Sequence, residues 1–172
     1  MLGQKWDCIM KPITKIFIDM DGVLADFIKG VEGPKYLNGP MDNNTYTEKK
    51  IVISNKGLFR DLPPMPDMPD LINYINNLGV YWEILTCTGE INRQKVAKDK
   101  TAWIREHVDP DTVVTCTFKG IQKAAYAKPG YILIDDHKKN INAWVEAGGI
   151  GILYTTAADC IKQIEDLRYK AA

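Results

Sequence analysis

The feature that most constrains this sequence is a short apolar run that ends in two carboxylates and a glycine. The run Ile16-Phe17-Ile18 is followed directly by Asp19-Met20-Asp21-Gly22. An extended backbone places Asp19 and Asp21 on the same side, and Gly22 permits a sharp turn. Two neighbouring acids repel each other unless a cation or a proton lies between them. The pair is a candidate for a hard metal ion and for phosphoryl chemistry, although Asp and Gly also occur together in turns that have no function.

The composition limits the classes of protein to which the chain can belong. Its 172 residues suit one domain with a small insertion. Lysine plus arginine and aspartate plus glutamate both number 22, so no global basic field attracts nucleic acid. No apolar stretch approaches the roughly 20 residues that span a bilayer, and Lys5 and Asp7 interrupt any signal-peptide core. We therefore expect a cytoplasmic protein. The cysteines, Cys8 among them, lack the spacings of a zinc site or a disulfide framework.

The order of apolar segments predicts strands that alternate with helices. Helical spacing or capping signals occur at residues 68–79, 92–107, 138–147 and from 156 onwards. Strands are predicted at residues 80–85, 112–116, 131–134 and 150–154, in addition to the first apolar run. Residues 29–66 have little periodicity and are interpreted as an inserted subdomain or extended loop. The alternation predicts an α/β fold with a doubly wound parallel sheet.

Polar side chains stand where three of the predicted strands end. Asp19 and Asp21 follow the first strand, Thr86 follows the second, and Asp135 and Asp136 follow the strand at 131–134. In doubly wound sheets, ligands bind beyond the carboxyl ends of the strands. Three strand ends with matching chemistry therefore favour one functional site over an acidic turn without a role.

These residues resemble the motifs of the haloacid dehalogenase-like (HAD-like) phosphohydrolases, and within that group those of the 5'(3')-deoxyribonucleotidases. The similar segments are DMDGVLADF at 19–27, LTCT at 85–88, LIDD at 133–136, and GLFRDLPPMP at 57–66, which resembles the segment that leads from the cap back to the core. The resemblance covers about residues 13–168. It implies a HAD-like Rossmannoid core of residues 1–27 and 67–172, with a small cap of residues 28–66 inserted after the first strand.

The resemblance also implies catalytic and metal-binding roles. Asp19 would be the nucleophile that carries an aspartyl-phosphate, and Asp21 would act as the general acid and base. Asp19, Asp135, Asp136 and the backbone carbonyl of Asp21 would hold Mg²⁺, with the division of labour between Asp135 and Asp136 left open.

The phosphate-binding residues implied by the resemblance come from the second and third motifs. Thr86 would hydrogen-bond a phosphoryl oxygen. Cys87 stands where the nucleotidases often carry a small hydroxyl residue, so its backbone N–H or the Thr88 hydroxyl would supply a further contact. The third motif is a lysine, for which Lys123 is favoured because it precedes a short helical turn. The alternatives Lys119 and Lys128 stay open.

Substrate recognition is expected in the cap. Phe27 and Phe59 would flank a base or sugar and Arg60 would meet a phosphate or a base edge, unless the two aromatic rings merely pack the cap on the core. The implied function is a Mg²⁺-dependent phosphomonoester hydrolase, a 5'(3')-deoxyribonucleotidase acting on deoxyribonucleoside monophosphates. The alternatives are a phosphatase of another small ester or of a nucleic-acid 3'-phosphate, and a catalytically silent nucleotide-binding protein. The expected partner is a small-molecule nucleotide, without nucleic acid or membrane; the oligomeric state stays open, a homodimer included.

Overall fold

Five parallel strands form one sheet at the centre of the fold. A computed structural model describes residues 12–171 of the chain, and the predictions for Lys5, Asp7 and Cys8 lie outside that range. The strands are β1 (Lys15–Ile18), β2 (Trp82–Cys87), β3 (Val114–Thr117), β4 (Tyr131–Asp135) and β5 (Ile150–Leu153). Their order across the sheet is β3-β2-β1-β4-β5, and every neighbouring pair runs parallel. The predicted doubly wound parallel sheet is confirmed.

Helices follow the strands along the chain. They are α1 (Phe27–Glu32), α2 (Asn43–Asn55), α3 (Leu58–Asp61), α4 (Met68–Asn77), α5 (Arg93–His107), α6 (Lys138–Glu146) and α7 (Ala157–Ala171), and a 3₁₀ helix spans Gly120–Tyr126. The bounds of α4, α5 and α6 lie within two residues of the predicted ones. Across residues 12–171, no helix combines the length and the apolar character that crossing a membrane requires.

Helix α2 lies in the segment 29–66, which has little hydrophobic periodicity and was interpreted as an inserted subdomain or extended loop without a predicted helix. Ile51 and Val52 are 54% and 53% exposed, whereas Ile53 is buried, so the helix has no continuous apolar stripe. Its start is set locally, since the Asp42 carboxylate accepts a hydrogen bond from the backbone N–H of Thr45 at 2.8 Å. Hydrophobic periodicity does not reveal this helix, because its apolar residues do not form a stripe and the signal for its start is a single capping residue.

The two faces of the sheet pack against different elements. On one face, Phe17, Leu85 and Leu133 form an apolar cluster with Trp144 of α6. The other face joins a larger core to which α4, α5, α7 and the segment 28–66 contribute. Because the central strands are buried on both faces, their sequences are nearly continuous apolar runs.

The register of the strands determines where the functional residues stand. Ile18 pairs with Ile134 on one side and with Ile84 on the other. The backbone N–H of Asp19 continues the ladder by donating to the carbonyl of Ile134 at 2.9 Å. The residues that follow β1, β2 and β4 therefore meet at the carboxyl edge of the sheet, beside the point where the strand order reverses.

The segment 28–66 lies against α5, which belongs to the core. Helices α2 and α3 both contact α5, and the Asn92 amide donates to the Asn55 side chain at 2.9 Å. At the end of the segment, the indole N–H of Trp103 donates to the Leu62 carbonyl at 2.6 Å. These contacts hold the segment beside the carboxyl edge of the sheet.

Candidate active site

Asp19 lies at the end of β1 between a backbone donor and a buried lysine. Its Oδ1 accepts a hydrogen bond from the N–H of Met20 at 2.8 Å, and its Oδ2 lies 2.9 Å from Nζ of Lys123. The Lys123 side chain is fully buried in the 3₁₀ helix and also donates to Asp135 at 2.6 Å. The lysine therefore joins the carboxylates at the ends of β1 and β4.

The other two lysines considered for the third motif stand elsewhere. Lys119 is exposed and pairs with Glu90 at 3.6 Å. The Lys128 ammonium lies 5.8 Å from the centre of the Tyr131 ring. Of the three candidates, Lys123 is the one whose described contacts reach Asp19.

A second buried lysine, Lys100 of α5, was missed by the sequence analysis. Its Nζ lies 2.5 Å from Oδ2 of Asp21 and 2.9 Å from the Thr86 hydroxyl oxygen. Both Lys100 and Thr86 are fully buried. A signal for this residue was present, since Lys100 lies on the same helical face as the buried Val96 and Trp103. A lysine in an apolar stripe needs a buried partner, and 79 residues separate it from the partner it finds.

The two acids at the end of β4 have different environments. Asp135 is fully buried and accepts hydrogen bonds from Lys123, from the backbone N–H of His137 at 2.8 Å and from the Asn140 amide at 3.0 Å. Asp136 is exposed. Oxygen atoms of Asp19, Asp135 and Asp136 nevertheless lie within 4.8 Å of one another. The structure thus brings together the three side chains that the sequence analysis proposed as metal ligands.

The donor set fits a hard divalent cation. Carboxylate oxygens are the ligands that Mg²⁺ and Ca²⁺ prefer. The four acids at the site bring four formal negative charges and the two buried lysines bring two positive ones, which leaves a charge of −2. In addition, Oδ1 of Asp21 is buried without a hydrogen-bond partner in the described structure. A bound cation with its water ligands would balance the charge and supply a partner for the unpaired oxygen.

The pKa values of Asp19 and Asp21 are shifted in opposite directions. Burial alone would raise the pKa of Asp19, but Lys123 and Lys100 outweigh burial and hold the pKa below its usual range. Burial raises the pKa of Asp21, and Lys100 opposes this effect without cancelling it. Asp19 is therefore kept ionised, whereas Asp21 is better able to hold a proton.

The pKa values of Asp135 and Asp136, the two acids at the end of β4, are both raised. Burial, followed by the charge of Asp19, raises the pKa of Asp135 in spite of Lys123. Although Asp136 is exposed as a residue, protein atoms crowd its carboxyl group, and this partial desolvation together with the charges of Asp19 and Asp135 raises the pKa of Asp136 to about 7. This crowding of negative charge is what a bound cation would relieve.

Gly22 allows Asp136 to approach the first motif. Its φ is +75°, a conformation that side chains with a Cβ rarely adopt. A Cβ at this position would lie 2.2 Å from Oδ2 of Asp136. The glycine is therefore needed both for the turn after β1 and for the position of the acid.

A cavity of about 590 Å³ opens in front of these carboxylates. Its lining includes Asp19, Asp21 and Asp136 on the polar side and Phe27, Ile28 and Met65 on the apolar side. Cys87 also lines the cavity, and its thiol donates to the carbonyl of Phe118 at 3.3 Å. A phosphate ester could place its phosphoryl group at the acids and its organic part against the apolar wall.

The three residues expected to bind substrate occupy different places. Phe27 lines the cavity. Phe59 stacks behind it, with ring centres 6.1 Å apart and planes inclined by 24°, and is not among the lining residues. Arg60 pairs with Glu106 on the surface of α5 and does not line the cavity either. The structure therefore brings Phe27 to the cavity but does not bring Phe59 or Arg60 there.

Comparison with known families identifies the chain. The family described as 5' nucleotidase, deoxy (pyrimidine), cytosolic type C protein matches residues 43–168. The chain belongs to this family. The matched region includes Thr86, Lys123, Asp135 and Asp136 and begins after Asp19 and Asp21, which the structure places beside them.

Solved structures show the same fold. The chain is similar to a HAD-superfamily hydrolase from Ehrlichia chaffeensis, with a TM-score of 0.55, 14% identity, and coverage of 92% of this chain and 99% of that one. It is also similar to a phosphonoacetaldehyde hydrolase-like protein from Oleispira antarctica, with a TM-score of 0.50, 10% identity, and coverage of 99% and 87%. Comparison with curated proteins gives no match. Family membership confirms that the chain is an enzyme of the HAD-like phosphohydrolases.

Proposed function

We propose that the chain is a Mg²⁺-dependent 5'(3')-deoxyribonucleotidase that releases phosphate from deoxyribonucleoside monophosphates. The observation that carries this proposal is the position of Asp19, which faces a cavity with one carboxylate wall and one apolar wall while Lys123 holds it ionised. The family match supports a nucleotidase. The aromatic Phe27 supports a flat organic group as the remainder of the substrate.

Asp19 and Asp21 divide the chemistry between them. A carboxylate oxygen of Asp19 forms a bond to phosphorus while the bond from phosphorus to the nucleoside oxygen breaks. Asp21 donates its proton to that leaving oxygen and then takes a proton from the water that hydrolyses the aspartyl-phosphate. The opposite pKa shifts of the two acids suit these roles, because the nucleophile must be ionised and the acid must be protonated.

Charge on the transferring phosphoryl group is balanced by residues of the core. Lys123 and the Thr86 hydroxyl are the proposed donors, and Cys87 contributes from the cavity wall through its backbone N–H. Asp19, Asp135, Asp136 and the backbone carbonyl of Asp21 would hold Mg²⁺, which when bound neutralises phosphoryl charge. Lys100 orients Asp21 and the Thr86 hydroxyl through the two hydrogen bonds it donates.

The organisation into core and cap is also part of the proposal. Residues 1–27 and 67–172 act as the catalytic core, and residues 28–66 act as the cap that selects the organic part of the ester. Ile28 and Met65 extend the apolar wall that begins at Phe27, which favours a nucleobase over a small polar group. A cytoplasmic location and a small-molecule nucleotide as the partner complete the proposal.

Phosphate release from a panel of deoxyribonucleoside and ribonucleoside monophosphates tests the proposal. Each substrate is measured with Mg²⁺ and with EDTA, with Asp19→Asn as the inactive control. We expect Mg²⁺-dependent release that is fastest on a deoxyribonucleotide. Release from p-nitrophenyl phosphate but from no nucleotide would retain the mechanism and refute the substrate. Release from a 3'-phosphorylated oligonucleotide in preference to every mononucleotide would refute the small-molecule assignment.

A further inference from the structure

The buried ammonium of Lys100 has two hydrogen-bond acceptors and one aromatic neighbour. Two of its three N–H groups are directed to Asp21 and Thr86, at 2.5 and 2.9 Å. The centre of the Phe59 ring lies 4.9 Å from the same nitrogen. Lys100 is fully buried, so the ring is part of the enclosed surroundings of the ammonium.

Phe59 reaches Lys100 from the segment proposed as the cap. It lies on α3, which packs against α5, the helix that carries Lys100. The ring is only 7% exposed, and it also stacks on Phe27, which lines the cavity. The two aromatic rings thus form a continuous path from the cavity to the ammonium that contacts Asp21.

We propose that Phe59 is a positioning residue that acts through Lys100 on Asp21. The negative face of the ring attracts the ammonium, and the ring fills the space into which the flexible lysine side chain would otherwise move. Lys100 is thereby held within hydrogen-bonding distance of Asp21, and the Asp21 carboxyl is directed at the leaving oxygen. This inference rests on the proposed function, in which Asp21 protonates that oxygen.

The inference predicts that loss of the ring matters most for esters with poor leaving groups. A nucleoside or phenyl oxygen needs a proton in the transition state, whereas p-nitrophenolate leaves without one. Misplacing Asp21 should therefore lower kcat/KM, which reports formation of the aspartyl-phosphate and not its hydrolysis, far more for phenyl phosphate than for p-nitrophenyl phosphate. A ring that merely supported packing would lower kcat/KM for both esters by the same factor.

The experiment compares Phe59→Leu, Phe59→Tyr and the wild type on phenyl phosphate and p-nitrophenyl phosphate. General acid catalysis contributes about 10²–10⁴-fold, so partial misplacement in Phe59→Leu should cost on the order of tenfold or more in kcat/KM for phenyl phosphate. We expect a loss of less than about threefold in kcat/KM for p-nitrophenyl phosphate. Phe59→Tyr, which keeps the ring, should recover most of the loss. Equal losses on the two esters, or no loss on either, would overturn the inference.

A measurement without turnover separates this inference from the proposed function. The side-chain NMR signals of Lys100, assigned by their loss in Lys100→Met, should be shifted by the ring current of Phe59 and should move in Phe59→Leu but not in Phe59→Tyr. Unshifted signals in the wild type would overturn the inference even if the enzyme is a nucleotidase. Shifted signals in a wild type that hydrolyses no ester would refute the proposed function and, with it, any catalytic role of the ring.

Discussion

Replacing Lys123 by methionine removes the positive charge that Asp19 and Asp135 share. The Lys123 nitrogen lies 2.9 Å from one carboxylate and 2.6 Å from the other, and the side chain is fully buried. Methionine is of similar length and flexible enough to fill the space, so the substitution changes charge much more than packing. The change therefore tests the electrostatics of the site.

The expected loss of stability is large, because two buried carboxylates lose their cation. Removing one partner of a buried ion pair costs about 3–5 kcal/mol. For a chain of this size, 1 kcal/mol lowers Tm by about 2–4 °C, so we expect a decrease of roughly 6–20 °C at pH 7 without metal. Loss of a charge contact to the transferring group should also reduce kcat about 10²–10³-fold.

The stability difference between the wild type and Lys123→Met should depend on pH. In the wild type, the lowered pKa of Asp19 contributes stability that is present above its unfolded pKa and is lost as the pH falls. In the variant, the unpaired carboxyls acquire raised pKa values, so their destabilising effect is relieved as they become protonated. The contribution of Asp19 is still complete at pH 5, which lies above the ordinary pKa of 3.8, so protonation of the variant's unpaired carboxyls alone makes the difference in Tm smaller at pH 5 than at pH 7.

Thermal unfolding in EDTA and phosphate release in Mg²⁺ measure the two effects of Lys123→Met. The matched control is Lys119→Met, which removes an equal charge from an exposed side chain four positions earlier. The control should change the unfolding free energy by less than about 1 kcal/mol and leave kcat within a few-fold. If Lys119→Met were the more damaging change, or if Lys123→Met unfolded like the wild type, the reasoning would be refuted.

Three further predictions concern the carboxylates and the glycine beside them. Asp19→Asn should abolish phosphate release without unfolding the chain, as circular dichroism would show; wild-type turnover would refute its role as nucleophile. Gly22→Ala should destabilise the fold by more than about 1 kcal/mol and weaken Mg²⁺ binding, because of its positive φ and the close approach of Asp136. Gly39→Ala, with no neighbour within 4 Å, is its control in thermal unfolding, and equal effects would contradict the prediction. Since the pKa of Asp136 is raised to about 7, Mg²⁺ must displace a proton below that pH. Calorimetry in buffers of different ionisation enthalpy should therefore detect proton release at pH 6.5 and weaker binding than at pH 8, whereas pH-independent affinity would count against Asp136 as a ligand.

Some features could be predicted because they are local in the chain. The sheet follows from apolar runs that alternate with helical spacing, and the first motif follows from Asp19, Asp21 and Gly22 standing directly after such a run. The convergence of three strand ends is a property of every parallel sheet of this topology. Asp19 and Asp135 were expected to meet for that reason, and the register of β1 and β4 brings them together.

Other features depended on packing between distant segments. Helix α2 has an exposed Ile51 and Val52, so hydrophobic periodicity does not reveal it. Phe59 and Arg60 are neighbours in sequence, yet one stacks behind Phe27 and the other pairs with Glu106. Sequence could nominate all three as substrate contacts but could not say which of them lines the cavity.

The sequence by itself determined the fold class, the family and the acids at the strand ends. These features depend on short contiguous motifs and on the hydrophobic periodicity of single strands and helices. Only the tertiary structure decided that Lys100 pairs with Asp21, that Lys123 rather than Lys119 lies against Asp19, and that Phe59 covers the Lys100 ammonium. The physical reason is that a buried charge is tolerated only where folding supplies its partners. Those partners come from segments whose positions are set by the packing of the whole core.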